Sequence, residues 1–151
     1  PGTGDRTGPR GELLARLDRP EPRIAVGLAL RGIASACIDV SDGLLADLGH
    51  VCAASGVGAE LDADSLPLSS ALVANFDADA CRQFALAGGD DYELCFTVPP
   101  EREDRVAAAL AAAGCSATRI GRVIAGSGVQ VLDSRGSTIA TPRAGWEHFS
   151  R

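Results

Sequence analysis

The chain has 151 residues, 46% of them apolar and 4% aromatic, and a formal net charge of −6. That length gives one domain with a sizeable core, and an acidic chain without a long Lys/Arg run excludes nucleic acid as the main partner. No apolar stretch approaches a membrane span or a secretory leader, and five cysteines with no CxxC pair fit free thiols in a reducing cytoplasm.

Residues 1–11 carry four Gly and two Pro and no large apolar anchor, so they are expected to be unstructured. Residues 1–19 then form a flexible stub and 20–151 the folded domain. The chain opens on Pro rather than Met, and it is expected to be a processed product or a piece of something longer. A short helix is predicted over 12–18. A second follows over 22–31, with Ile24, Ala25 and Leu28 on its apolar face and Gly32 as its cap.

The segment around residue 40 organises the rest. Ala34, Ala36, Ile38 and Val40 alternate with Ser35, Cys37 and Asp39, which predicts a strand. After Ser41 the period changes, and Leu44, Leu45, Leu48, Val51, Cys52 and Ser55 fall on one stripe of a helix ending near Gly56. Asp39, Ser41, Asp42 and Gly43 sit at this junction and have two readings. In one, Ser41 caps the helix and Asp42 complements its dipole. In the other, Asp39 and Asp42 are hard oxygen ligands for Mg²⁺, and the helix N-terminus receives a phosphate.

Further strands are predicted over 57–62, 92–98, 117–123, 129–132 and 137–140. Helices are predicted over 70–75, 77–87 with Asp77 as cap, and 101–113. Leu66 and Leu68, in the turn 65–69, are expected to pack inward. Between the helix over 77–87 and the core of the next strand lies Gly88-Gly89-Asp90-Asp91-Tyr92-Glu93. It reads either as a glycine cap with a solvated turn, or as a close backbone approach whose three acids need a cation or a hydrogen-bond donor. Trp146, the only tryptophan, either plugs the core or covers a ligand. Neither histidine has partners at metal-ligand spacing, His50 is expected on a helix surface, and there is no P-loop or nucleophile elbow.

Several of these segments resemble one family. Ile38-Asp39-Val40-Ser41-Asp42-Gly43-Leu44-Leu45-Ala46-Asp47-Leu48 is similar to the IDISDGLLADL run of bacterial thiamine-monophosphate kinase. Ser55-Gly56-Val57-Gly58-Ala59-Glu60, Leu66-Pro67-Leu68-Ser69, Gly88-Gly89-Asp90-Asp91-Tyr92-Glu93-Leu94, Arg119-Ile120-Gly121 and Gly145-Trp146-Glu147-His148-Phe149 agree in order. The likeness covers nearly everything after about Pro20.

The resemblance implies the C-terminal domain of such a kinase. That is an α/β (α+β) layered domain of the aminoimidazole ribonucleotide synthetase type, with a mixed sheet and helices on both faces. The implied reaction is ATP-dependent phosphorylation of thiamine monophosphate to thiamine diphosphate, by direct in-line transfer with Mg²⁺ and no phospho-enzyme. Carried over residue by residue, Asp39 and Asp42 are magnesium ligands, Ser41 an ATP contact, and Asp90 and Trp146 contacts to the thiamine substrate. No catalytic residue is assigned. Asp90 stands where the family usually has Glu, and Trp146 where Tyr is frequent. The family's N-terminal domain supplies further metal-binding acids, much of the ATP site and the homodimer contact, so this chain alone is expected to be folded but inactive. The alternatives are a non-catalytic metal- or nucleotide-binding module, and a sister ATP-dependent enzyme of the same superfamily.

Overall fold

A computed structural model describes residues 7–141. In chain order the elements are α1 (Gly8–Asp18), α2 (Ile24–Ala29), β1 (Ala36–Asp39), α3 (Leu44–Ser55), β2 (Gly58–Asp62), α4 (Ser70–Asn75), α5 (Ala78–Ala87), β3 (Leu94–Thr97), α6 (Glu103–Ala112), β4 (Gly121–Ile124) and β5 (Gly128–Leu132). The expected α+β class with a mixed sheet is what forms. β2 lies between β4, antiparallel to it, and β5, parallel to it, while β1 and β3 make a separate antiparallel pair with Ile38 opposite Cys95 and Asp39 opposite Leu94.

Two cores flank the β1–β3 ribbon. On one side the stripe of α3, Leu44, Leu45, Leu48 and Cys52, packs with Val40, Ala59, Leu61, Leu86 and Val131, and Cys95 of β3 faces it. On the other side Leu94 and Phe96 pack against Val26, Leu30 and Leu110 of the α2–α6 layer. Alternation along β3 therefore decides which core each residue joins. Leu30, Leu86, Leu110 and Val131 are fully buried, each stabilising the fold by about 1.5–3 kcal/mol relative to exposure.

The ends of the elements follow local rules. Asp77 caps α5, its Oδ1 accepting the Ala80 N–H at 2.8 Å, and Ser69 caps α4 through the Leu72 N–H at 3.1 Å. α3 stops at Gly56, whose φ of +64° is the left-handed cap conformation. The turn after β5 is closed by Asp133, whose Oδ1 accepts the N–H groups of Arg135 and Ser137.

Several expectations are corrected. α1 begins at Gly8, not at residue 12: Pro9 sits in its first turn, where a missing amide is no loss, and the helix packs on α4. The predicted apolar face of α2 is turned outward, with Ile24 69% and Leu28 59% exposed, because the contact with Leu110 is made by Val26 and Leu30. Leu66 is buried as expected, but Leu68 is 41% exposed. The strand predicted over 117–123 forms only from Gly121, and the one over 137–140 is reduced to a single bridge between Leu132 and Thr138. Cys52 and Cys81 are buried, whereas Cys37 is exposed, since it alternates with Ile38 on the outer side of β1.

Candidate functional site

The site is built from two loops that lie backbone against backbone. The chain leaving β1 keeps pairing with the chain entering β3: Val40 N–H donates to the Glu93 carbonyl at 2.8 Å, Tyr92 N–H to the Val40 carbonyl at 2.9 Å, and Asp90 N–H to the Ser41 carbonyl at 3.0 Å. The approach is so close that a Cβ on Gly89 would stand 2.5 Å from the Ser41 carbonyl oxygen, which leaves room for glycine only. Of the two readings of this stretch, the structure holds a part of each: Gly88 is the cap position of α5, and Gly89 makes a close backbone approach to the Ser41-Asp42 turn.

Ser41 is not the cap of α3. The cap position is Gly43, with φ +109° and no side-chain cap bond. The N–H groups of Ser41 and Asp42 instead donate to one oxygen, Oδ2 of Asp47, at 2.9 and 3.0 Å. Asp47 is 3% exposed, the one buried charged or polar side chain among the described residues. Its carboxylate thus takes up two amides of the turn that precedes the helix. The sequence reading passed over Asp47, although its signal was present: an acid inside an apolar stripe between Leu45 and Leu48 needs internal donors.

With the turn amides facing inward, Asp39 and Asp42 are exposed at the carboxyl end of β1. Asp90, on the adjoining loop, is also exposed and takes the left-handed conformation, φ 63°, as does Tyr92, φ 51°. The Tyr92 hydroxyl makes a long 3.3 Å hydrogen bond to Oδ1 of Asp90. The charge of Asp90, then that hydrogen bond, and more weakly the charges of Asp39 and Asp42, hold this phenol above its ordinary range. The backbone pairing of Asp90 with Ser41 sets the acid of the second loop beside the turn that carries Asp42. No group of three or more His, Cys, Asp or Glu side chains is placed to hold a metal by itself among the described residues. Asp39 and Asp42 offer the hard oxygen donors that suit Mg²⁺, which commonly takes one or two carboxylates and fills its remaining positions with water and substrate phosphate. Trp146 lies outside the described residues.

Glu93 answers the expectation of a donor for the crowded acids. Its Oε2 accepts the Arg23 Nε–H at 3.0 Å, and its Oε1 accepts Nη2–H groups of Arg23 at 2.7 Å and of Arg16 at 2.6 Å. This fork ties α1 and the entry to α2 to the strand beside the site. The Arg23 hydrogen bonds, and secondly the neighbouring positive charges, hold the Glu93 carboxyl below its ordinary 4.5 against the opposing effect of partial burial. The stabilisation this gives is complete above the unfolded value and is lost as pH falls through the lowered folded one. Because the Glu93 side chain is 43% exposed, solvent screens the pair, and Glu93→Gln is expected to cost only about 1 kcal/mol at pH 7. Urea melts of both chains should show that difference at pH 7 and its disappearance as pH falls through the lowered folded value.

Two clefts lie away from these loops. One, of about 570 Å³, opens between α2 and the end of α6, beside Arg23 and Cys115; the other, of about 380 Å³, lies over β2 and β4 between Glu60, Asp62, Arg119 and Asp133. Neither contains a residue of the acidic mouth. Asp39, Asp42 and Asp90 are instead exposed on the surface.

An α+β domain whose β1–α3 turn and Gly-Gly-Asp-Asp loop present carboxylates side by side defines a class. The family model described as "AIR synthase related protein, C-terminal domain" matches residues 2–134, and the chain belongs to that family. Within it, thiamine-monophosphate kinase of Salmonella typhimurium is 44% identical over 138 residues, covering 91% of this chain and 42% of the relative. The crystal structure of thiamine-monophosphate kinase from Stenotrophomonas maltophilia K279a is 50% identical with a TM-score of 0.79, covering 82% of this chain and 39% of that one. A structure described as AaThiL complexed with AMPPCP and TMP is 34% identical with a TM-score of 0.78, covering 97% of this chain and 44% of that one. The chain thus spans about two fifths of the length of these relatives. No helix among the described residues is long and apolar enough to cross a membrane.

Proposed function

We propose that this chain carries part of the active site of a thiamine-monophosphate kinase, which phosphorylates thiamine monophosphate to thiamine diphosphate at the expense of ATP. The observation that carries the reading is the backbone pairing of the two loops, which gathers Asp39, Asp42 and Asp90 at one mouth in a family whose similar members bear that name. Asp39 and Asp42 would hold Mg²⁺, which when bound would neutralise phosphate oxygens and draw donor and acceptor together. Ser41, on the same turn, would donate its hydroxyl to an ATP phosphate. Asp90 faces the mouth from the second loop, where its carboxylate fits the cationic, amine-bearing thiamine moiety, and Trp146 is assigned to the same substrate by its motif. The acceptor is a phosphate already ionised at neutral pH, so the protein needs to supply no general base. The chemistry reduces to holding the two phosphates in line.

Further metal-holding acids, most of the nucleotide site, and a homodimer contact belong, on this reading, to sequence outside these 151 residues. By itself the chain is expected to bind ligand without turnover, in the cytoplasm where its thiols stay reduced. Calorimetric titration with thiamine diphosphate and Mg²⁺ tests this. Asp42→Ala is expected to weaken Mg²⁺-dependent binding at least about tenfold, and Asp90→Ala to weaken binding with or without the metal. Binding that survives both substitutions unchanged would overturn the assignment.

A further inference from the structure

We propose that Asp47 is a positioning residue for this site, holding the Ser41-Asp42 turn in the one arrangement that sends the Asp39 and Asp42 carboxylates and the Ser41 hydroxyl outward; the inference rests on the metal-binding reading above. Its side chain is 3% exposed, yet it is a carboxylate among the apolar residues of α3. Its Oδ2 accepts the N–H groups of two consecutive residues at 2.9 and 3.0 Å, and no guanidinium, ammonium or imidazolium is paired with it among the described residues. A buried charge satisfied by turn amides alone is costly as packing, and a leucine there would extend the stripe of Leu44, Leu45 and Leu48. What the carboxylate supplies instead is direction. Two adjacent amides aimed at one internal oxygen fix the peptide planes on both sides of Ser41, and therefore the Cα–Cβ direction of Ser41 and the plane from which Asp42 departs. The Asp90 N–H reaches the outer side of the same turn through the Ser41 carbonyl, so Asp47 sets the level at which the second loop docks.

The measurement is Mn²⁺ uptake by electron paramagnetic resonance, paired with hydrogen exchange of the Ser41 and Asp42 amides, on the 151-residue chain and two variants. Asp47→Asn keeps a carbonyl oxygen able to accept both N–H groups, and it should hold both amides protected and Mn²⁺ affinity within about threefold of wild type. Asp47→Ala should release both amides by at least about tenfold in exchange rate, leave those of Leu61 and Val131 protected, and weaken Mn²⁺ at least about tenfold. Should the alanine chain fail to fold, the asparagine chain decides: retained uptake with protected amides supports the role, and lost uptake in a folded chain overturns it, because it would make the charge itself a ligand. Wild-type affinity in a folded Asp47→Ala chain overturns the positioning role and leaves the metal reading standing. A wild-type chain that takes up no Mn²⁺ overturns the metal reading and this inference with it.

Discussion

Gly121→Ala is expected to be the most damaging single-methyl substitution in the described chain. A Cβ at this position would lie 2.0 Å from the Glu60 carbonyl oxygen and 3.0 Å from the Leu61 Cα, both of them backbone in the central strand of the mixed sheet. No rotamer change relieves a clash with main chain, so β4 must lift from β2. Lifting it sacrifices the Asp62 N–H to Ile120 carbonyl bond at 2.8 Å and the Glu60–Arg122 pair at 2.6 Å, and it uncovers Leu61, which is 3% exposed. Overpacking against backbone together with partial exposure of a core residue should cost more than about 3 kcal/mol, and the melting temperature should fall by about 10 °C or more. A thermal melt checks this. An alanine chain melting within about 2 °C of wild type would mean that β4 does not cross β2 so closely. The Arg119-Ile120-Gly121 segment, quoted above for its family likeness, is thus explained by packing, with no contact to the acidic mouth required.

Residues close in sequence were the legible ones. The change from alternation to a helical stripe at Ser41, the caps at Asp77 and Gly56, and the glycine break before Asp90 are set by neighbours, and each formed within a residue or two of its predicted place. What depends on distant partners was not legible. The face of α2 was misassigned because its period offers two apolar sides, and Leu110 on α6 selects Val26 and Leu30. Glu93 was one of three crowded acids until Arg23 and Arg16, 70 and 77 positions away, proved to clamp it. Asp39 and Asp42 stood out as adjoining carboxylates, but the turn beside them is held by an acid in the first turn of the following helix, on the stripe where pattern reading expects a hydrophobe. Buried polar groups whose partners are main-chain amides leave little trace in composition or period, and they are where sequence reasoning is weakest.

The second large effect expected is from Gly89→Ala, and it separates binding from folding. Its Cβ would meet the Ser41 carbonyl oxygen at 2.5 Å, the same atom that accepts the Asp90 N–H. The loop must therefore retreat, and that hydrogen bond goes with it. Asp90 and Tyr92 hold left-handed backbone at φ 63° and 51°, which costs roughly 1–2 kcal/mol per residue and persists only while neighbouring bonds enforce it. Once the lock on Ser41 opens, both residues can relax, and the Asp90 carboxylate leaves the mouth it shares with Asp42. The loop lies at the edge of the first core, so relaxing it offsets part of the clash, and a net destabilisation of about 1–2 kcal/mol is expected. Affinity for Mg²⁺ with thiamine diphosphate should instead fall by more than about tenfold, because the two halves of the mouth no longer face each other. Gly49→Ala supplies the contrast: it sits inside α3 with nothing within 4 Å of the added Cβ, and it should stabilise the chain by up to about 1 kcal/mol while leaving affinity unchanged. Equal affinity in the Gly89→Ala and wild-type chains would show that the two loops bind independently, and the backbone pairing between Ser41 and Asp90 would then be packing alone.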